Sequence, residues 1–109
     1  MRKNLSEQGR IILAHGEVTG HCHEVIAADP AIAVPPAQFF EEPDGTRTLL
    51  VLEPCVLRHQ EHAPIALDPT KPEQYRQGDV LLQPTAPGSW RVIRQAEWPG
   101  PEGWRQVVD

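Results

Sequence analysis

The sequence predicts an all-β fold, a small single-domain barrel or sandwich of short, mostly antiparallel strands. Three observations carry that expectation. The 109 residues include 12 prolines and 8 glycines, a load that helix interiors do not tolerate and that turns and strand ends do. Apolar residues occur in short runs that alternate or stand together for a few positions, and no stretch repeats at the spacing of a long amphipathic helix. Clusters rich in proline, glycine and aspartate separate those runs at close intervals, as in small barrels and sandwiches. A domain of this length hides roughly two-thirds of its unfolded surface, so residues 1–109 form one unit around one modest core.

Taken in order, residues 1–9 are polar and read as a loose start. Residues 10–15 (RIILAH) read as a short buried strand that Gly16 ends. Residues 18–28 form a second strand, with Val25 on the face of His21 and His23, and Ile26 on the face of Cys22. Residues 29–36 carry three prolines that lack an amide donor, so they make a connection or an edge. The clearest local feature is a hairpin. Residues 39–42 and 47–52 flank Pro43-Asp44-Gly45-Thr46, where proline presets a turn, aspartate caps it and glycine takes the left-handed position. Extended structure resumes over 55–59 and again over 62–67. Residues 68–74 and 84–88 read as linker-like joints on either side of a turn and strand containing Arg76-Gln77-Gly78-Asp79-Val80. Residues 89–98 alternate as a strand with Trp90 and Val92 on one face and Arg91 and Ile93 on the other, and residues 104–108 make a closing strand.

Charge and composition exclude several functions. A net charge of -5 argues against a nucleic-acid surface, which needs clustered Lys and Arg to displace counterions. No run of about 18 apolar residues marks a membrane span, and the first residues lead into charged sequence rather than a signal-peptide core. The expected location is therefore cytosolic, and there Cys22 and Cys55 are expected as free thiols. No Ser-His-Asp order, phosphate loop or zinc-finger cysteine pair occurs.

The chemical signal lies in the histidines. Gly16-Glu17-Val18-Thr19-Gly20-His21-Cys22-His23-Glu24 places two imidazoles on one face of an extended strand, with Cys22 on the other. His59-Gln60-Glu61-His62 forms a second cluster, and with His15 these account for every histidine in the chain. His59 and His62 are oddly spaced, so a bulge or tight turn at Gln60-Glu61 is needed to face them the same way. His21, His23, His59 and His62, with Glu17, are the candidate metal ligands, for zinc or iron. Two imidazoles on one strand and one from a neighbour make a three-ligand site with a position open to water, which lowers the pKa of that water and supports hydrolysis or hydration. The bland alternative is heavier: His-x-His arises on strands by chance, and histidines pair across strands or hydrogen-bond to glutamate with no metal. Proton transfer without metal is a third reading. Trp90, Trp98 and Trp104 are read as core or subunit-interface residues, Asp79 as a turn residue, and Glu41 and Glu42 as a solvated face.

The segments 16–23, 59–65, 90–98 and 104–109 together resemble a family of small, uncharacterised bacterial and phage proteins. In that family an Arg-Gln-Gly-Asp-Val strand stands near the amino terminus, whereas here it occupies residues 76–80. The order looks rearranged, as a circular permutation would leave it. The resemblance implies a fold and no activity. A looser similarity is to cupins, β-barrels that hold a metal through His-x-His, a carboxylate and a later histidine. It would assign those parts to His21, His23, Glu24 or Glu17, and His59 or His62. The expected function is a self-assembling or binding β module that hides its strand edges in a homo-oligomer; the alternative is a cupin-like metal-dependent enzyme.

Overall fold

The computed structural model describes residues 1–16 and 20–94. They form ten strands: β1 (Lys3–Asn4), β2 (Ile11–His15), β3 (Cys22–Ala27), β4 (Ala37–Glu41), β5 (Arg47–Val51), β6 (Cys55–Arg58), β7 (Ile65–Leu67), β8 (Tyr75–Gln77), β9 (Val80–Ala86) and β10 (Ser89–Arg94). A six-stranded sheet runs β1-β4-β5-β10-β9-β8, and a four-stranded sheet runs β2-β3-β6-β7. Every pairing is antiparallel. The all-β expectation holds.

The barrel does not close. Among the described residues no hydrogen-bonded pairing joins one sheet to the other. Two of the four connections between the sheets, β3–β4 and β7–β8, carry Pro30, Pro35, Pro36, Pro69 and Pro72, which supply no amide donor to extend a ladder around a corner. The sheets instead share one core. Leu49, Leu57, Leu67, Leu82, Val25, Val80 and Trp90 from both sheets are almost fully buried. Trp90 is the largest of them, and its indole Nε1 donates to Glu73 O at 2.7 Å, so the one polar atom of that side chain is satisfied.

Local chemistry explains the element boundaries. In the β4–β5 hairpin, Glu42 N donates to Thr46 O and Gly45 N to Glu42 O, while Asp44 Oδ1 accepts from both the amide and hydroxyl of Thr46. The opening residues are not loose: Lys3 and Asn4 pair with Glu41 and Phe40, and Leu5 packs on the core. Nor are residues 84–88 a joint. β9 continues to Ala86 and turns tightly at Pro87-Gly88 into β10. Gly88 has φ 79° and a Cβ there would lie 3.0 Å from Val51 O, so both backbone angle and space require glycine. The second strand is shorter than its sequence pattern, beginning at Cys22, with Gly16 N donating to His21 O just outside it. The expected strand at 104–108, residues 95–98, and Trp98 and Trp104 lie outside the described residues.

Leu57 is fully buried in the four-stranded sheet. Leu57→Ala is expected to lower stability by about 2–5 kcal/mol through lost transfer energy and a residual cavity, measured as a shift of the urea unfolding midpoint at constant slope.

Candidate functional site

The four-stranded sheet builds the site. Antiparallel pairing of β3 with β6 aligns Glu24 with Arg58 and Val25 with Leu57, which brings His21 and His23, at the start of β3, beside the segment that leaves β6. That segment bends at residues 60–62 before β7, and the bend overcomes the odd spacing of His59 and His62. The other three rings stand around that of His59. The centroids of His59 and His62 are 4.7 Å apart, His23 and His59 4.4 Å, His21 and His59 5.7 Å, and His23 and His62 6.0 Å. His15, by contrast, is exposed and lies 3.3 Å from the Glu7 carboxylate.

Each ring has a distinct environment. His23 is fully buried. Its Nδ1 lies 2.9 Å from Gln77 Oε1 and its Nε2 3.2 Å from Asp79 Oδ1. The Gln77 amide nitrogen donates to both Leu57 O and Ala63 O at 3.0 Å, so its oxygen is the atom turned toward the ring and His23 Nδ1 donates to it. Asp79 is itself buried and its second oxygen accepts from Arg94 Nε at 2.8 Å. Arg94 also donates through Nη2 to His15 O at 2.7 Å. His59 is buried and its Nδ1 accepts from the Glu61 amide at 3.0 Å, while the Glu61 carboxylate lies 3.2 Å from His21 Nδ1. His62 is half-buried, and among the described residues its buried Nε2 has no hydrogen-bond partner.

Two other groups lie elsewhere. Glu24 projects from the opposite face of β3, where the Arg10 guanidinium grips both its oxygens and Arg58 adds a third contact at 3.0 Å. The Arg10 hydrogen bonds, helped by Arg58, hold its carboxyl below the usual carboxylate range against the opposing effect of burial. It cannot share a ligand with the histidines. Glu17 lies outside the described residues. Both cysteines are buried and unbridged, and burial, with Glu53 adding to it, pushes the Cys55 thiol up to about 11.

Sequence reasoning missed Gln77, Asp79 and Arg94. Gly78-Asp79 is indeed a two-residue turn, with φ 59° at Gly78 and Gln77 paired to Val80, the geometry in which glycine takes the first central position. The turn reading left out where the Asp79 side chain goes, which is into the space between the sheets. The one available signal was a glutamine in phase with Tyr75 on a strand whose inward side is apolar. Beside this network, Arg94 and His15 also line a cleft of about 300 Å3 with Leu5, Leu13, Phe39 and Arg47, where the two sheets part. Among the described residues no group of three or more His, Cys, Asp or Glu side chains is placed to hold a metal ion.

A family model described as a domain of unknown function (DUF8820) matches residues 1–70. Comparison with curated proteins and with solved structures returned no match. The matched segment contains all four clustered histidines, whereas Gln77, Asp79 and Arg94 follow it.

The sign of the Glu24 contribution is fixed by its lowered folded pKa. Its pairing stabilises the fold above the ordinary glutamate value of 4.5 and is lost as pH falls through the folded value. Glu24→Gln is therefore expected to differ most from the parent near neutrality and to converge with it in acid, as read by urea unfolding from neutral pH to about pH 3.

Proposed function

We propose that this chain, which belongs to the DUF8820 family of unknown function, binds a divalent transition metal, zinc or ferrous iron, through His21, His59 and His62. The observation that carries this reading is the convergence of imidazoles around a buried His62 Nε2 that no described group satisfies. Leaving such an atom unpaired costs about 1–3 kcal/mol, which a bound cation relieves. Tetrahedral zinc with Zn–N bonds of about 2.0–2.1 Å brings ligand ring centroids to about 5 Å from one another. The 5.7 Å and 4.7 Å separations of His21–His59 and His59–His62 bracket that spacing.

Glu61 supports the same assignment. Its carboxylate stands 3.2 Å from His21 Nδ1, near enough for a small ring rotation to make the hydrogen bond that a carboxylate makes behind a metal-bound histidine. At His59 the lone pair that a metal would take now accepts the Glu61 amide. Releasing that bond costs about 1 kcal/mol, against about 10–16 kcal/mol for zinc at structural sites, so small ring rotations and one exchanged hydrogen bond do not decide the outcome. Three neutral ligands leave a position for water, which is the starting point for hydrolysis or hydration.

A second reading, self-association, has its own support. Leu52 and Val34 are 62% and 65% exposed and Ile32 is 40% exposed, and Leu52 N donates to Pro36 O, which seats the end of β5 against the proline-rich connection. Exposed large apolar groups fit a contact with a second copy.

Metal analysis of protein purified without chelator, followed by calorimetric zinc titration of the apo chain, is expected to give one equivalent per chain. His62→Ala or His21→Ala should weaken that binding by at least about 100-fold, the upper end of what loss of even a supporting contact costs. Absence of binding, or wild-type affinity in both variants, rejects the metal reading. Light scattering of wild type and Leu52→Glu tests the second reading: a dimer or larger form that the substitution dissociates is expected.

A further inference from the structure

Along a strand that covers a sandwich core, every second side chain turns inward and is apolar. At one end of the six-stranded sheet three adjacent strands break that rule. Glu41 is in phase with the buried Phe39, Arg47 with Leu49 and Val51, and Arg94 with Trp90 and Val92. Glu41 and Arg47 face one another in the β4–β5 ladder, and Arg47 faces Val92 of β10 on its other side. All three charged residues line the cleft of about 300 Å3 where the sheets part. Inward-pointing charges can protect a sheet edge from pairing with other chains, but β4, β5 and β10 each have a strand on both sides, so that role does not account for them.

The rest of the wall is largely apolar. The register of β2 on β3 slips between Ile12 and Ala14, a bulge of the kind that re-aims side chains beside binding sites, and the slip falls where β2 borders the cleft. Leu13 lines it there, with Leu5 and Phe39. Arg94 places Nε on Asp79 and Nη2 on His15 O. Those two contacts fix the guanidinium and use neither N–H of Nη1.

We propose that this cleft binds a small monocarboxylate with an apolar body, the carboxylate on Arg47 and Arg94 and the hydrocarbon on Leu5, Leu13 and Phe39. A guanidinium matches a carboxylate in shape and charge, and one already held by two other contacts loses little freedom on binding. Glu41 on the same wall repels a second negative charge, which selects a monoanion over phosphate or a dicarboxylate. An apolar lining with a few charged groups is the usual composition of a ligand site. At about 30 Å3 per water the cleft has room for roughly ten non-hydrogen atoms, the size of octanoate. None of the four clustered histidines lines it, and no metal is needed.

The test is calorimetric titration of octanoate into the full chain at neutral pH with EDTA present, so that its failure leaves the metal reading untouched. Saturation at one octanoate per chain is expected, with octanol at least about 10-fold weaker, the lower end of what losing a hydrogen bond to a charged group costs. Inorganic phosphate in excess is expected not to compete. Arg47→Gln should weaken octanoate at least about 10-fold, and Leu5→Trp, which fills the cleft from its edge, should abolish binding. No saturable binding, equal affinity for octanol, competition by phosphate, or unchanged octanoate affinity in a folded Leu5→Trp overturns the proposal. If Leu5→Trp does not fold, Arg47→Gln decides: wild-type affinity in that variant overturns it as well.

Discussion

The constraint on which the structure depends is a buried polar network in a place otherwise filled by apolar side chains. An imidazole and a carboxylate removed from water cost several kcal/mol unless each finds partners. Here the partners come from both sheets. His23 belongs to the four-stranded sheet, whereas Gln77, Asp79 and Arg94 belong to β8, its turn and β10 of the six-stranded sheet. Gln77 then returns to the first sheet through Leu57 O and Ala63 O. With no backbone ladder joining the sheets among the described residues, this network and the shared core hold them in register. Apolar packing is tolerant of small shifts, but hydrogen bonds at 2.8–3.2 Å are not.

The same network shapes the histidine segment. Leu57 O and Ala63 O lie on either side of residues 59–62, so one glutamine amide pins both ends of the bend that turns His59 and His62 together. The chemistry proposed for that bend therefore depends on residues from a distant part of the chain. The family match divides at the same place. Residues 1–70 supply the imidazoles, and the groups that hold His23 come afterwards.

Much of this was legible in the sequence, and the failures have physical causes. The alternation of side chains along an extended backbone put His21 and His23 on one side and Cys22 and Glu24 on the other, and the odd spacing of His59 and His62 required the bend that is present. The Pro43-Asp44-Gly45 turn fixed its hairpin because its signals are local. Closure of the barrel was not legible, because it depends on whether distant edges meet, and prolines at the crossings keep them apart. Residues 1–9 read as loose since a two-residue strand such as Lys3–Asn4 has no pattern of its own and forms only against Glu41 and Phe40. Asp79 was readable as a turn residue and not as a buried acid, since its burial is decided by His23 and Arg94, remote in sequence.

The place of β10 has a consequence for how the chain assembles. The last of the described strands lies inside the six-stranded sheet, with β5 on one side and β9 on the other. During synthesis the β4–β5 hairpin emerges early with one edge unmatched, and it stays so until β10 leaves the ribosome and slots between its neighbours. Pairing between segments so far apart in sequence must meet the loop-closure entropy before any reward from the ladder, which slows folding and prolongs exposure of sticky edges. Arg94, at the end of β10, then binds Asp79 and His15 O, so arrival of β10 and completion of the polar network are one event.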